Sequence, residues 1–584
     1  MKKPDMFDLL KSKIAEVIKS ALDSAFDLNY DLLVIYSKLT SPPDIKMGHL
    51  AMPCFELAQA LGISPVVIAE ALASQIKCKM GITAANADGP YVNIYIDSDF
   101  LGHEIIQPIL DGEYFKTQLT VSPSKIMVEF SQPNTHKELH VGHTRNMVLG
   151  DVYAKLLEYC GHEVIKATFP GDFGTHIAKC LWYLKYHFNG EYPQEDRGKW
   201  LGEIYSKAHN TLESKKGLVN TNEQLSEIML QLHHESGEFY ELWKETREWS
   251  RELFKKVYDW ADIEFDKWYW ESKVNQPSLE TTRKFYEDGV FIKSEGAIGA
   301  DLSQWDLGFF MLIKSDGHGL YSTKDIELAL QKFKDYPQLD KSIYVVDVRQ
   351  SRHFQQVFKT LELMGLDKAK DCYHFAYDFV ELPEGPMAAR HGNFVPLTDL
   401  IKEMEELSGN ELQERYAANW TEKEINTTAH KIAKAAIKYG MIRVDPKSKI
   451  VFDMDRWLTL QGETGPYLQY VYARINSLLK RHDYSRPKSV NWAALVDPRE
   501  IALMLQLNKF NQVVKESCEK YAPHQFAKYL YDLSQIYNVF YTGISIMATE
   551  DVFLRKARLS LSESVQITLK KGLNLLGVDT LERM

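Results

Sequence analysis

The sequence predicts an α/β protein built around a doubly wound, Rossmann-type parallel-sheet domain, with an α+β segment ahead of it and an all-α helical bundle behind it. Three observations carry this expectation. The chain has 584 residues, 45% of them hydrophobic and 26% charged, which is too long for one core and apolar enough for several. One strand–helix–strand unit stands out between residues 126 and 169. Beyond about residue 430 the pattern is almost wholly helical, as in Ile432 to Met441, Tyr467 to Arg481 and Phe526 to Tyr541.

In the central unit, Ile126-Met127-Val128-Glu129-Phe130 reads as a buried strand, and the polar loop from Ser131 to Lys137 follows it. A helix then runs through Met147, Val148, Val152, Leu156 and Leu157 and stops at Gly161. Val164 to Phe169 supplies the second strand. Ligands of doubly wound sheets sit beyond the carboxyl ends of the strands, where the polar loop falls. Further strands are expected at Phe309 to Ile313 and Tyr344 to Val348, with a helix opening at Ser322-Thr323. Between about residues 184 and 297 a helical insertion is expected. Its Trp243, Trp249, Trp260, Trp268 and Trp270 read as helix-packing aromatics rather than base-stacking platforms, because lysines and arginines do not line up with them. Residues 1 to about 112 mix helix and strand signals, with Tyr91 to Ile96 alternating as a half-buried strand does. The expected domains are therefore 1–112, 113–440 with the insertion, and 441–584.

Composition excludes several classes. The six cysteines are scattered without a Cys-x-x-Cys pair, which argues against a zinc ribbon or a disulfide framework and for a reducing compartment. Phe7, Leu10, Ile14, Ile18 and Leu22 fall on one helical face among charges, an amphipathic helix rather than a signal peptide. No uncharged stretch reaches membrane-spanning length, so a cytoplasmic protein without a membrane partner is expected. Net charge is −11, yet residues 441–584 carry 20 Lys+Arg against 15 Asp+Glu. An acidic body with a basic end suits a polyanionic partner gripped at that end.

The clearest chemistry lies at His140-Val141-Gly142-His143, at a strand-to-helix junction. Gly142 has no Cβ, so a flat adenine can lie against the backbone. A helix N-terminus offers free N–H groups to phosphates, and two imidazoles can donate as charge builds on them. Structural loop histidines are the bland alternative. The preceding strand, the Ser131-Gln132-Pro133-Asn134 loop and the following helix favour an ATP site.

From Val128 to Arg145 the chain resembles the signature segment of arginyl-tRNA synthetases, which are class I enzymes. The likeness continues at Gly171-Asp172-Phe173-Gly174-Thr175, Leu320 to Ile326, Tyr344 to Phe358, Gly465 to Tyr470 and Leu581 to Met584. It implies an arginine--tRNA ligase that forms arginyl-adenylate from L-arginine and ATP, with Mg²⁺ carried on the phosphates, and then loads tRNA(Arg). No dedicated metal site is implied. Matching family positions put the substrate guanidinium against Tyr321 and Asp325, with Glu129 as a second carboxylate, and the α-amino and α-carboxylate end against Asn134 and Gln350. A planar, always charged guanidinium is suited to carboxylates accepting in a fork. His140, Gly142 and His143 are expected at ATP, with Met387 and Arg390 from the stretch Pro386 to Gly392, which matches the family's second signature but holds neither its lysine nor its serine. The resemblance assigns Lys137 to compensate, making Lys137, His140 and His143 the catalytic set. It also implies an N-terminal domain on the tRNA elbow and a C-terminal bundle on the anticodon. His176 stands where the family has glutamine. Two other readings remain open: a different nucleotidyltransferase with a small substrate, and a catalytically weak, synthetase-like tRNA-binding or regulatory protein.

Overall fold

The structure, a computed structural model, describes residues 8–76, 81–214, 220–383, 385–386 and 395–584. Phe7, Met387 and Arg390 lie outside the described residues. The chain forms two compact units, one of residues 123–158 and 162–458, the other of residues 1–122, 159–161 and 459–584.

In the first unit the chain runs β1 (Lys125–Glu129), α1 (Val141–Tyr159), β2 (Glu163–Thr168), α2 (Thr175–Tyr186), α3 (Glu238–Ala261), β3 (Lys267–Trp268), α4 (Glu271–Glu287), α5 (Tyr321–Asp335), β4 (Lys341–Asp347), α6 (Ser351–Leu363), β5 (Cys372–Tyr377) and α7 (Glu422–Ile442), among other elements. The five strands form one sheet in the order β5-β4-β1-β2-β3, and every pairing is parallel. β4 is buried from Ser342 to Val346, the near-continuous apolar run of a strand covered on both faces. The order reverses between β1 and β4, which makes their carboxyl ends the switch point of the sheet. Helix α1 presses close to that point: a Cβ on Gly150 would lie 2.2 Å from the Phe130 ring, so glycine lets the helix backbone meet the residue after β1.

The βαβ unit and the strands at Phe309–Ile313 and Lys341–Asp347 stand where the pattern puts them. The insertion does not hold as expected. Inside it β3 returns to the main sheet, with Trp268 paired to Thr168, and two residues are too few to show an alternation. The reading of its tryptophans also needs correction. Trp243 and Trp249 are buried, as packing requires, but arginines do line up with them. The Arg247 guanidinium lies 4.7 Å from the Trp243 ring and 5.4 Å from that of Trp270, and Arg197 lies 5.1 Å from Trp249. Trp243 and Arg247 are four apart on α3, so one helix face brings them together.

Helix α7 belongs to this unit because its lysines reach into it. Lys434 pairs with Asp262 at 2.5 Å, and fully buried Lys438 donates to the Ala261 carbonyl and lies 4.0 Å from Asp151 of α1. Burial pulls the Lys438 ammonium down to about 8, with Asp151 opposing the shift.

The second unit combines the α+β segment with the helical bundle. Its antiparallel sheet orders Leu50–Pro53, Tyr91–Ile96 and Ile82–Asp88, and helix Leu9–Phe26 buries Leu10, Ile14, Ile18 and Leu22. Five helices from Gly465–Arg481 to Val552–Leu575 make the bundle. Within the unit, Asn508 donates to both Asp8 oxygens at 3.2 Å, and the Tyr114 hydroxyl donates to the Asn508 carbonyl at 2.8 Å. Among the described residues no single helix is long and apolar enough to cross a membrane, and the one helix pair that is, Phe55–Leu61 with Pro65–Ile76, bends by 105°.

Candidate active site

The loop after β1 carries an unusual backbone. Ser131, Gln132 and His136 all have positive φ, at 77°, 36° and 59°, a conformation that non-glycine residues adopt only when their surroundings fix it. Three sets of buried bonds do so. The Asn146 side chain of α1 accepts from the Ser131 amide at 2.6 Å and donates to the Val345 carbonyl of β4 at 2.8 Å and to Gln132 Oε1 at 3.1 Å. His136 is buried, with Nε2 2.7 Å from Thr246 Oγ and its amide donating to Ser250 Oγ at 2.9 Å, both on α3. Ser131 Oγ meets the Tyr258 hydroxyl, also on α3, at 2.8 Å. Burial drives the His136 imidazole down to about 3, so it serves as a neutral peg.

Beyond the loop, both histidines of the His-x-Gly-His turn use Nδ1 as an acceptor. His140 Nδ1 accepts from the Gly142 amide at 3.0 Å, and His143 Nδ1 accepts from the His140 amide at 3.1 Å. A neutral imidazole that accepts at Nδ1 carries its proton at Nε2. Burial, then the nearby Lys137 charge, lower His140 to about 4, and burial with the His140 and Lys137 charges puts His143 well below its ordinary value. The turn therefore presents two neutral Nε2–H donors. The expectation of free backbone donors changes accordingly. The Gly142 amide is held by His140, the His143 amide donates to the His140 carbonyl at 2.8 Å, and that of Val141 reaches the Val395 carbonyl at 3.4 Å. These first-turn amides are therefore already engaged. Lys137 holds its ammonium 4.9 Å from the Tyr205 ring, near enough to both imidazoles to depress them.

The residues expected around arginine lie on β1, on the loop after it, on α5 and at the start of α6. Tyr321 opens α5 and is 71% exposed, and Asp325 lies one turn on, with Oδ2 2.6 Å from His353 Nε2 on α6. Glu129, at the end of β1, is buried. It accepts from Gln132 Nε2 at 3.0 Å and pairs with Lys332 of α5, which is fully buried with its ammonium 3.7 Å from the Tyr344 ring. The charge of Glu129 is thus already balanced by a buried lysine, whereas Asp325 meets an imidazole. Gln350 stands exposed as the N-cap of α6, at the carboxyl end of β4. Asn134 bridges to Gly171, and a Cβ there would meet Asn134 Oδ1 at 2.4 Å and Glu271 Oε2 at 3.1 Å.

Glu271 was not found from the sequence, where it reads as an ordinary acid in the first turn of α4. It is buried, holds Lys324 at 2.5 Å, and burial raises its carboxyl. Beside it Asp172 is fully buried and accepts from the Ser272 amide at 2.7 Å and the Ser272 hydroxyl at 2.8 Å. His176 is nine-tenths buried, with Nε2 unpartnered, and burial lowers it to about 3. Among the described residues no group of three or more His, Cys, Asp or Glu is arranged to hold a metal ion.

A parallel sheet whose switch point carries a strand, a polar loop and a His-x-Gly-His turn at the head of the next helix fits the catalytic domain of a class I aminoacyl-tRNA synthetase. Residues 106–454 match the model of the family described as tRNA synthetases class I (R), catalytic domain. Residues 468–584 match the DALR anticodon binding domain and residues 10–96 the arginyl tRNA synthetase N terminal domain. The chain is 46% identical to an arginine--tRNA ligase of Bdellovibrio bacteriovorus across 99% of both chains, and 32% identical to one of Treponema denticola across 94% of both. Its fold superposes on the arginyl-tRNA synthetase of Thermus thermophilus with a TM-score of 0.79 at 26% identity, covering 99% of this chain and all of the other. The chain belongs to the arginyl-tRNA synthetase family.

The neutral state of the turn is open to measurement. Below about pH 6.5 the unfolded chain takes up protons that the folded imidazoles refuse, so the contribution of these rings to stability falls as pH drops toward 4. In spectra of histidine-¹⁵N-labelled protein between pH 8 and 6, His140 and His143 are expected to stay in the Nε2–H form without titrating. A resonance of either, assigned by substitution, that titrates near pH 6.5 contradicts the arrangement.

Proposed function

We propose that this chain is an arginine--tRNA ligase that joins L-arginine to ATP at the switch point of its sheet, releases diphosphate, and passes the arginyl group to the 3′ end of tRNA(Arg). What supports the reading is the full-length likeness to arginine--tRNA ligases, together with imidazoles that accept at Nδ1 on the turn after β1 and a carboxylate, Asp325, one helical turn from Tyr321 on α5. Full-length likeness to arginine--tRNA ligases favours an active enzyme over a small-substrate nucleotidyltransferase or a silent tRNA-binding relative. The reaction needs no protein nucleophile. The substrate carboxylate attacks the α-phosphorus, so the protein positions the two molecules and answers the charge that develops. His140 and His143 donate to phosphate oxygens, Gly142 accommodates the adenine, and Mg²⁺ arrives with ATP as part of the substrate. Met387 and Arg390 are assigned to ATP by family likeness alone.

Asp325 and Tyr321 take the guanidinium, Glu129 borders it, and Asn134 and Gln350 take the α-amino and α-carboxylate end. The N-terminal segment meets the tRNA elbow and the C-terminal helices its anticodon, which fits the basic excess of residues 441–584. A cytoplasmic location without a membrane partner suits this role.

ATP–diphosphate exchange with each of the twenty amino acids, with and without tRNA, tests the reading: arginine alone is expected to support exchange, and support by another amino acid or by none overturns it. In that assay Asp325→Asn is expected to weaken arginine binding by about 2–4 kcal/mol, a rise in arginine KM of roughly 30- to 1,000-fold, with ATP KM little changed. An unchanged arginine KM removes Asp325 from the pocket. Lys137→Ala is expected to slow adenylation by about a hundred- to a thousandfold while arginine KM holds, because its contact strengthens only as charge builds on the phosphates. A wild-type exchange rate in that variant removes Lys137 from catalysis.

A further inference from the structure

We infer that His353 is a positioning residue for arginine selection, acting through Asp325: it fixes the plane of the carboxylate so that the remaining lone pairs face the guanidinium. The inference rests on the reading that Asp325 takes that group. A carboxylate on a helix turns easily about its last torsion, whose profile is broad, whereas a guanidinium fork needs the carboxylate held in one plane. An anchor on one oxygen supplies that constraint, and His353 Nε2 stands 2.6 Å from Asp325 Oδ2. Because an ionised carboxylate only accepts, this nitrogen carries the proton.

The imidazole is itself held from two sides. Its ring packs edge-on to Phe310 of strand Phe309–Ile313, with centroids 5.6 Å apart, and to Phe354 at 5.5 Å. One residue before and three after, Arg352 and Gln356 both donate to the Leu307 carbonyl, at 3.5 and 2.8 Å, which seats this face of α6. His353 also lies one turn beyond Gln350, the residue assigned to the other end of the substrate, so a single turn of α6 serves both ends. Neither partner is sealed off: the side chains of His353 and Asp325 are 25% and 24% exposed, so the bond is open to a ligand rather than closed in the core. Shape alone does not require a polar ring between two phenylalanines, and the carboxylate it meets gives it a task.

A double-mutant cycle in tRNA-supported ATP–diphosphate exchange, run on the full chain, separates this role from mere packing. His353→Leu is expected to raise arginine KM about tenfold, the effect of one charge-assisted hydrogen bond, with kcat and ATP KM within about twofold of wild type. His353→Gln, whose amide nitrogen reaches about as far as Nε2, is expected to restore most of the loss. In the Asp325→Asn background His353→Leu is expected to add nothing. Should the leucine variant fail to fold, His353→Asn, polar but too short to reach Oδ2, takes its place in the cycle. The inference is overturned by a wild-type arginine KM in His353→Leu, by equal losses in the leucine and glutamine variants, or by a full further rise in the Asp325→Asn background. If Asp325→Asn itself leaves arginine KM unchanged, the guanidinium reading falls and takes this inference with it. A raised KM there with none in His353→Leu sinks the inference alone.

Discussion

The site depends on the buried carboxamide of Asn146. One side chain of α1 holds the Ser131 amide, the Gln132 carboxamide and the Val345 carbonyl, and so ties the loop after β1 to β4 across the switch point. From there the contacts run in both directions. Three residues earlier on the same helix stands His143, whose Nδ1 holds the amide of His140 just ahead of the helix. Through Gln132 the chain of contacts reaches Glu129, and through Glu129 it reaches Lys332 on the helix that carries Tyr321 and Asp325. A loop with three positive-φ residues has no reason to hold its shape alone. Its partners hold it, and each is a buried polar group whose loss leaves another unpaired.

This arrangement explains how the protein can work without a nucleophile of its own. Two ligands must be held at one strand end with opposite electrostatic demands, phosphates on one side and a guanidinium on the other. The phosphate side meets neutral donors, because burial and the Lys137 charge keep both imidazoles unprotonated. On the side proposed for the guanidinium, Glu129 is balanced by buried Lys332, whereas Asp325 pairs with His353.

Much of this was legible in the sequence where periodicity or local spacing carried it. The βαβ unit showed itself as an apolar run, a polar loop and a helix closed by Gly161, and the pairing of Tyr321 with Asp325 follows from one helical turn. What was not legible shares a cause. β3 has only Lys267 and Trp268, too short for any alternation, and it is a strand because β2 stands beside it. Asn146, Glu271 and His353 are single polar residues in helices, where the sequence offers solvent as their default surroundings. Their roles come from partners between 14 and 231 positions away in the chain. The donors at the turn were misplaced for a related reason, since only geometry shows that His140 and His143 consume the amides beside them. The alignment of Trp243 with Arg247 is different: the four-residue spacing was there to be read.

The central claim, that one carboxamide supports both halves of the crevice, is tested most directly by Asn146→Ala. With folding checked by circular dichroism, KM values for ATP and for arginine are measured in the same exchange assay. The account predicts that both rise together, each by about tenfold or more, as the Ser131 amide and the Val345 carbonyl lose their partner. A folded variant with both values at wild type, or with only one of them changed, would contradict it.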